Sequence, residues 1–560
     1  MAQHAAADGT APSAHTPIYL DYAATTPVDP AVLQAMLHCL ETDAGATWAN
    51  AASAHAAGLQ ARAVVEHARE QVAALIHATP GEIVFTSGAT ESNNLAIKGA
   101  VEFNRTADRP AHLVTSRTEH RCVLDTCRWL ETRGVRVTWL VPGPDGRVDP
   151  AQVLAALRPE TLLVSLMWVN NETGAVNDIA ALAPELRARG VMLHVDAVQA
   201  AGKLAIDVQQ VPVDLLSLSA HKIYGPKGIG ALFVRRRPRA RLAPQMHGGG
   251  HEQGMRSGTL ANHQIAGFGV ACELAAQRQS VDARRMAGLR ERLWVSISGP
   301  LPQVLRNGPD PALPGACAPH VLNVSFAGVD GEALRSSLPE IAVSSGSACS
   351  SATAEPSYVL RALGRDDILA DASLRFSLGR MTMATEVDAV AAAVVAAVQR
   401  LRALSPLWTD AVPPAAATAV PNDPFDYSPV VWENFWRAAP APLAQDAATV
   451  QVQTPASRAV LALGVRCVDG TVVEAGFRAF GDPTTIAVGA WLARQCRGQR
   501  VDTLAGLTAV AIRAALGIGE DRLHCSLLGE DAVRALLRRL AEDGRTGHGP
   551  QPAAAAPPQW

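Results

Sequence analysis

The sequence predicts an α/β fold built on a parallel sheet, followed by a smaller α+β domain. Across residues 17–408, short apolar strand-like runs alternate with helical stretches, which is typical of a parallel sheet with helical crossovers. An alanine- and proline-rich linker at 409–429 separates this region from a second patterned region at 430–543. The chain of 560 residues is long enough for such an arrangement. We expect residues 1–16 and 544–560 to be disordered, because they lack periodic apolar residues.

Composition excludes several classes of function. A net charge of -3 gives no general attraction to nucleic acid or to an anionic membrane. The most apolar run, at residues 389–398, is about half the length of a membrane span, and the N-terminus lacks the features of a secretory signal. Nine cysteines, an odd number without a CxxC pair, indicate reduced thiols. We therefore expect a cytoplasmic protein that binds neither nucleic acid nor membrane.

Polar side chains of catalytic type follow the apolar runs that we predict to be strands. The first run, at 82–87, leads through a glycine turn into a helix whose start carries Thr90, which suits an anion. Ligand groups of a parallel sheet gather at the carboxyl ends of its strands. The other three runs, at 161–174, 191–199 and 213–222, end in Asn171, in Asp196 and Gln199, and in Ser219, His221 and Lys222.

Lysine is rare in this chain, and one lysine ends a predicted strand. The sequence holds only Lys98, Lys203, Lys222 and Lys227, while arginine supplies the remaining basic residues. Arginine stays protonated, whereas a desolvated lysine becomes a neutral nucleophile. A phosphate-binding turn, a carboxylate and a lysine at strand ends are what pyridoxal phosphate requires.

Each of these residues also has a simpler interpretation. Thr90 could be only a helix cap, Asp196 a turn residue, and His120 an ordinary surface histidine. Lys222 alone could be a solvated charge. Their combination at successive strand ends favours a cofactor site.

Eight motifs, in order, carry a resemblance to a known family. They are FTSGATESNN, TEH, VNNETG, HVDAVQ, SAHKIYGPKG, GGGHEQGMRSGT, SSGSACSSA and LRFSLGR. Together they resemble the cysteine desulfurases of the NifS/IscS type over roughly residues 17–408. The resemblance implies fold-type I of the pyridoxal-phosphate enzymes, with a large parallel-sheet domain, a small α/β domain and a homodimeric assembly.

The resemblance implies a role for each matching residue. Lys222 would bond covalently to the cofactor and shuttle the substrate α-proton, while His120 would stack on the ring and assist proton transfer. Asp196 would pair with the ring nitrogen and Gln199 with the phenolic oxygen. The phosphate would be held by Ala89, Thr90, Ser219 and His221, with Thr259 from the second subunit. Asn171, beside the cofactor, and Arg375 would receive the substrate, Arg375 through its carboxylate.

Cys349 lies in a segment of small polar residues, AVSSGSACSSATAEP, at 342–356. Such a composition suits neither helix nor strand, so we expect an exposed mobile loop in which Cys349 is not a core thiol. The resemblance implies that Cys349 takes sulfur from L-cysteine as a persulfide while alanine leaves. The sulfur would pass to an iron–sulfur scaffold or another acceptor protein, and we also consider Cys349 as a transient cluster ligand.

The second region resembles the IscU/NifU-N iron–sulfur scaffold but lacks most of its ligands. The resemblance is carried by FRAFG, LHCSLL and EDAVRALL, and by a hairpin signal at Asp469–Gly470. Ser457 and Asp482 stand where the family has cysteines, and Ala459 stands where it has aspartate. Of the family's ligands only His524 and Cys525 remain, and Arg522 replaces a lysine. One thiolate cannot hold an ordinary cluster.

Several interpretations stay open. For the second region we favour an interaction or regulatory module. The alternatives are a sulfur acceptor at Cys525 or a weak zinc or ferrous-iron site formed by Asp482, His524 and Cys525; a working cluster scaffold is disfavoured. For the whole protein, the alternatives to a desulfurase are a selenocysteine lyase or other fold-type I lyase, and a non-catalytic adaptor.

Overall fold

The structure is a computed structural model that describes residues 17–42, 45–106, 111–345, 355–408, 420–439, 446–455 and 457–546. The chain divides into two compact units. The large unit comprises Leu20–Ala327 and Val343–Asp388, and the second unit comprises Met1–Tyr19, Gly328–Ala342 and Ala389–Trp560. Segment Gly328–Ala342 therefore belongs to the same unit as the C-terminal region.

The described residues form helices and strands that are numbered here in chain order. The helices are α1 Pro30–His38, α2 Ala56–Leu75, α3 Ala89–Asn104, α4 Arg121–Glu131, α5 Pro150–Ala155, α6 Ile179–Ala188, α7 Asn262–Ser298, α8 Gly331–Ser336, α9 Tyr358–Ala362, α10 Asp367–Asp371, α11 Ala384–Leu404, α12 Pro429–Arg437, α13 Pro483–Cys496, α14 Ala509–Leu516 and α15 Leu523–Thr546. The strands are β1 Ile18–Tyr19, β2 Ile83–Thr86, β3 His112–Ser116, β4 Arg136–Leu140, β5 Thr161–Met167, β6 Met192–Asp196, β7 Leu215–Ser219, β8 Gly230–Val234, β9 Val304–Asn307, β10 Val321–Phe326, β11 Ile341–Ala342, β12 Ser373–Ser377, β13 Ala448–Gln453, β14 Val460–Val468 and β15 Thr471–Phe480.

The large unit is built on a seven-stranded sheet with the order β2-β8-β7-β6-β5-β3-β4. The four predicted strand runs correspond to β2, β5, β6 and β7, as expected. The sheet is mixed, however, because β8 runs antiparallel to both β2 and β7. Only residues 220–229 connect β7 to β8, and a parallel crossover needs about a dozen residues or more. The parallel expectation therefore holds for all strands except β8.

Both faces of this sheet are buried. Alternate side chains on successive strands point to opposite faces, and they join two separate cores. Leu113, Leu163 and Leu215 belong to one core, with residues of α3 and α4. Their chain neighbours Val114, Val164 and Leu216 belong to the other, with residues of α2 and α7. Helices thus cover both faces, and the carboxyl ends of the strands are left for the polar residues.

A smaller antiparallel sheet in the large unit, with the order β12-β10-β9, carries Arg375 on its edge strand β12. Arg375 lies opposite Asn323 in the register. Its strand is buried along its whole length. The sheet therefore presents Arg375 from a rigid element.

The second unit contains a three-stranded antiparallel sheet, β13-β14-β15, with helices α12 to α15. The predicted hairpin at Asp469–Gly470 is confirmed: both residues have positive φ, 49° and 72°, and Val468 pairs with Thr471. The hairpin packs closely on α13. A Cβ added at Gly489 would lie 2.4 Å from the Phe477 ring, so this position needs glycine.

The apolar run at 389–398 is part of α11. Val390, Val394, Val398 and Leu401 recur at helical spacing and are buried. Among the helices of the described ranges, none has the length and apolarity needed to cross a membrane.

Candidate active site

The carboxyl ends of β2, β5, β6 and β7 surround a cavity of about 560 Å³ in the large unit. Its lining includes ten of the residues that the sequence predicts for the site. They are Ala89, Thr90, His120, Asn171, Asp196, Gln199, Ser219, His221, Lys222 and Arg375.

One end of the cavity is suited to a phosphate. Helix α3 begins at Ala89, directly after Gly88, whose φ of 150° favours glycine. The amides of the first helical turn have no acceptor within the helix and can bind an anion. His221 borders the same cavity, and its Nδ1 lies 3.1 Å from the Thr25 hydroxyl. Burial, and then the charge of Lys222, lower the pKa of His221 to about 4, so the ring is a neutral hydrogen-bonding group.

The Asp196 carboxylate is held by two hydrogen bonds at the end of β6. Its Oδ1 accepts from the amide of Val198 at 3.0 Å, and its Oδ2 accepts from Nδ2 of Asn93 at 2.8 Å. Sequence reasoning missed Asn93. Its position four residues after Ala89, on the same face of α3, is the signal that could have identified it.

His120 caps helix α4 and is linked to Asp196 through two further side chains. Nδ1 of His120 accepts from the amide of Cys122 at 3.3 Å and lies 3.0 Å from the Cys122 thiol. Because Nδ1 is an acceptor, the neutral ring carries its proton on Nε2. Nδ2 of Asn93 is also 3.1 Å from the same sulfur. Asn93 and Cys122, neither of them predicted, therefore join the two predicted cofactor residues.

Gln199 and Asn171 present amide groups to the cavity. Nε2 of Gln199 donates to the carbonyl of Ala23 at 2.9 Å, and its Oε1 accepts from Nε2 of His320 at 3.1 Å. Oδ1 of Asn171 is buried and has no hydrogen-bond partner among the described residues. Since buried polar atoms are normally satisfied, this oxygen indicates a missing ligand group.

Lys222 extends its amine along the wall of the cavity. Its Nζ donates to the carbonyls of Ala23 and Ala24, each at 2.6 Å. A second lysine, Lys203, lies behind it, with its own Nζ 2.6 Å from the backbone carbonyl of Lys222. Burial, and then the charge of Lys222, lower the pKa of Lys203 to about 7. Lys203 is not part of the lining, whereas Lys222, at the end of β7, and Lys227 both are.

Arg375 enters the cavity from β12 with its side chain 2% exposed. Nη2 pairs with Oδ1 of Asp21 at 2.7 Å, and Nη1 donates to the carbonyl of Asn171 at 3.0 Å. Its buried Nε has no hydrogen-bond partner among the described residues. The guanidinium is thus oriented by two bonds, and its Nε–H remains for a ligand.

Cys349 lies outside the described residues, which end at 345 and resume at 355. The residues on both sides of this gap contact the site. Ser344 exchanges backbone hydrogen bonds with Arg375. Beyond the gap, the Ser357 hydroxyl donates to Glu172 at 2.5 Å and the Tyr358 hydroxyl to the carbonyl of Glu119 at 2.8 Å.

Three further residues named in the sequence analysis lie outside this cavity, and one of them, Thr259, is assigned there to the phosphate site of a second subunit. Thr259 is exposed and is not part of the cavity lining. In the second unit, Ser457 is exposed, with its hydroxyl 2.5 Å from that of Thr454. Ala459 is buried and has no ligand atom.

The predicted metal ligands of the second unit do lie together. The ligand atoms of Asp482, His524 and Cys525 are all within 4.8 Å of one another. Cys525 is fully buried, and burial, followed by the charge of Asp482, raises the pKa of its thiol above the usual range. The thiol is therefore protonated. A single neutral thiol does not fit an iron–sulfur cluster, which thiolates hold.

Two protein families match the chain. Residues 18–390 match the family described as aminotransferase class-V. Residues 435–542 match the NifU-like N terminal domain.

Individual relatives cover mainly the first region. The cysteine desulfurase IscS of Azotobacter vinelandii is 57% identical over 393 residues, which are 70% of this chain and 95% of that protein. The cysteine desulfurase IscS of Acinetobacter baumannii (strain AYE) is also 57% identical, over 394 residues. Among solved structures, a NifS-like protein aligns with a TM-score of 0.62 and 32% identity, covering 68% of this chain and 98% of that one. SspA in complex with cysteine aligns at 0.58 and 39% identity, covering 65% and 100%.

Proposed function

This chain belongs to the aminotransferase class-V family and, within it, to the IscS-type cysteine desulfurases, and we propose how its own residues perform that reaction. The overall reaction converts L-cysteine to alanine and transfers the sulfur to a thiol of the enzyme. The single observation that carries the proposal is the convergence of Lys222, Asp196, His120 and Arg375 on one cavity. The alternative of a selenocysteine lyase is disfavoured by Cys349, because a lyase needs no thiol to receive the product atom.

The cavity fits pyridoxal phosphate, the cofactor that the family implies. The start of α3 suits the phosphate, and the buried Asp196 carboxylate suits a protonated ring nitrogen. Oδ1 of Asn171, which has no hydrogen-bond partner in the part of the chain that the structure describes, indicates a missing polar group. When bound, the cofactor supplies an electron sink that weakens the bonds at the substrate α- and β-carbons.

In this proposal, different groups of cavity residues position different parts of the cofactor. Ala89, Thr90, Ser219 and His221 hold the phosphate. Asp196, fixed by Asn93 and Val198, keeps the ring nitrogen protonated. Gln199, oriented by His320, donates to the phenolic oxygen.

Lys222 and His120 are the residues that we assign to proton transfer. With the cofactor bound, Lys222 would turn from the carbonyls of Ala23 and Ala24 to hold it covalently. Its amine, released when cysteine enters, would take the substrate α-proton. His120, with its proton on Nε2, lines the same cavity and would stack on the cofactor ring and assist proton transfer to the substrate. The capping bond from Cys122 keeps that tautomer.

The substrate is oriented by its carboxylate. Arg375 offers its Nε–H, for which the described residues supply no acceptor, and the ion pair with Asp21 fixes the orientation of the guanidinium. Cys349 follows Ser344 by five residues, a chain distance of at most about 18 Å. Because Ser344 is bonded to the backbone of Arg375, Cys349 is tethered to the substrate end. Its thiolate would attack the substrate sulfur, forming an S–S bond as the Cβ–S bond of the substrate breaks. The electron pair of that bond would stay on the substrate carbon, which is then protonated to give alanine, and the sulfur left on Cys349 as a persulfide would pass to an acceptor protein.

We expect Arg375→Lys to impair cysteine binding far more than cofactor binding. Loss of one charge-assisted hydrogen bond costs about 1.5–3 kcal/mol, or about 10- to 150-fold in kcat/KM. The loss should appear chiefly in the KM for cysteine, measured as alanine formed. The cofactor absorption should remain unchanged. An unchanged KM with a lost cofactor band would place Arg375 at the cofactor instead.

The proposal extends to assembly and domains. Thr259, exposed in its own subunit, would complete the phosphate site of a second subunit in a homodimer. We place the desulfurase domain at 17–408 and the NifU-N-like domain at 430–543, with 409–429 as the linker. A tether of about 20 residues would keep the second domain at millimolar effective concentration.

We propose that the NifU-N-like domain is an interaction module and not a cluster scaffold. Anaerobic reconstitution of the full chain with iron and cysteine should therefore give no stable cluster absorption, since Cys525 is the one thiol left at the ligand position. Cys349→Ser separates the two cysteines in this assay. A stable cluster that persists in Cys349→Ser and disappears in Cys525→Ala would contradict the proposal.

A further inference from the structure

The guanidinium of Arg522 lies beside the three potential metal ligands of the second unit, which are Asp482, His524 and Cys525. Nη1 of Arg522 lies 2.7 Å from Oδ2 of Asp482. Asp482 is in turn the residue that stands at a family cysteine position. A positive charge is thus already bound by the carboxylate that a metal ion would need.

Both carboxylate oxygens of Asp482 already accept strong hydrogen bonds. Oδ1 of Asp482 accepts from the amide of Thr485 at 2.7 Å and caps helix α13. The buried Cys525 sulfur lies 3.5 and 3.7 Å from the two carboxylate oxygens, and 3.3 Å from Nε2 of His524. A metal ion requires a thiolate and a free carboxylate oxygen. To enter, it would have to displace the Arg522 guanidinium from Asp482.

The other side of Arg522 bonds to helix α8. Nη2 donates to Oε1 of Glu332 at 2.6 Å, and the hydroxyl of Tyr427 donates to the same oxygen at 2.5 Å. The Tyr427 ring lies 4.8 Å from the guanidinium carbon, a distance that permits a cation–π contact. Glu332 lies in the region that matches the aminotransferase class-V family, whereas Arg522 lies in the region that matches the NifU-like N terminal domain. One guanidinium therefore joins segments of both families within the second unit.

The arrangement suits arginine specifically. Burial alone would lower the pKa of Arg522, but its bonds to Glu332 and the charge of Asp482 raise the pKa above the ordinary value. The planar fork can bond two carboxylates on different edges at once, and an ammonium group cannot match that geometry. Arg522, Asp482 and Glu332 are mostly shielded from solvent, with 27%, 12% and 38% of their side chains exposed. Bonds of this kind lose less to solvent screening than surface ion pairs do.

We propose that Arg522 replaces the metal of this domain: its guanidinium clamps Asp482 to Glu332, docks the NifU-N-like domain on helix α8 and keeps metal ions out of the Asp482–His524–Cys525 site. The inference rests on the proposed role of this domain as an interaction module. It also identifies what the module interacts with, namely the segment Gly331–Ser336 of the same chain. Docking and metal binding become mutually exclusive, because each needs the Asp482 carboxylate.

The first test measures zinc bound by the full-length protein after equilibration with micromolar Zn²⁺ and removal of free metal. Arg522→Gln should bind about one more zinc per chain than the parent, and the gain should vanish when Cys525→Ser is added. Glu332→Gln should gain none, because Arg522 still covers Asp482. Zinc on the parent that is lost in Cys525→Ser, or no gain in a folded Arg522→Gln, overturns the exclusion of metal.

The second test measures amide hydrogen exchange in peptides covering residues 331–336. Both Arg522→Gln and Glu332→Gln should exchange about tenfold faster than the parent there, since each breaks the clamp. Arg534→Gln is the matched control, because it removes an exposed arginine of α15 whose ion pair, with Glu530, lies within the same helix. If Arg522→Gln does not fold, Arg522→Lys tests the same point, since it keeps the charge and loses the bridge.

These outcomes separate the clamp from the proposed role. Unchanged exchange in both variants refutes the clamp while the module remains cluster-free. A stable cluster on the parent refutes the role itself.

Discussion

Lys222→Ala should abolish alanine formation from L-cysteine, with a loss of about 10²- to 10⁴-fold or more, because it removes both the covalent attachment and the base. The amine lies on the wall of the cavity that also holds Asp196 and His120. The variant should also lose the visible absorption of the lysine-bound cofactor. The measurement is alanine released per enzyme, together with the absorption spectrum after incubation with pyridoxal phosphate.

Lys222→Arg is the matched variant. It keeps the positive charge near the carbonyls of Ala23 and Ala24, but arginine stays protonated and cannot become a nucleophile. We expect it to be as inactive as Lys222→Ala. If Lys222→Arg retained the parental rate, the charge and not the amine would be what matters at this position.

Cys349→Ser should separate the two halves of the reaction. The variant should bind cofactor and L-cysteine as the parent does, because the cavity residues are unchanged. Persulfide formation should fall by about 10³-fold or more, since the thiolate is the nucleophile toward sulfur and a hydroxyl is not. Alkylation-based detection of persulfide, beside the substrate-induced change in cofactor absorption, measures both halves in one sample.

Cys467→Ser provides the control for this experiment. Cys467 is a partly exposed cysteine of β14 in the second unit, so its loss should leave persulfide formation unchanged. Desulfuration at the parental rate in Cys349→Ser would instead assign the sulfur-accepting role to another thiol. Cys122, 3.0 Å from His120, would then be the first to examine.

Strand ends were the most informative part of the sequence. Apolar runs that stop at Asp196 and at Lys222 predict where polar groups emerge from a sheet, and the structure brings them to one cavity. The direction of β8 was not predictable from its composition. A strand buried on both faces has the same pattern in either direction, and only the short connection after β7 decides it.

The sequence did not identify residues that act through a neighbouring side chain. In the sequence, Asn93 and Cys122 have the pattern of ordinary helix residues. Only the folded structure shows that they lie between Asp196 and His120. Lys203 is recognisable only by its burial. The bond between Arg522 and Glu332 joins residues 190 positions apart, so no local pattern could indicate it. Periodicity predicts elements, whereas such contacts depend on packing between them.

The central claim is that Lys222, and no other lysine, carries the cofactor. Lys203 is a real competitor, because burial lowers the pKa of its amine to about 7 and makes it a nucleophile near neutral pH. Lys222 lines the cavity and Lys203 does not, while Lys227 also lines it and is the second competitor. Reduction of the cofactor-loaded protein with borohydride, followed by proteolysis and mass spectrometry, identifies the attachment point. The account predicts the cofactor mass on the peptide that contains Lys222; its presence on a peptide containing Lys98, Lys203 or Lys227 instead would contradict it.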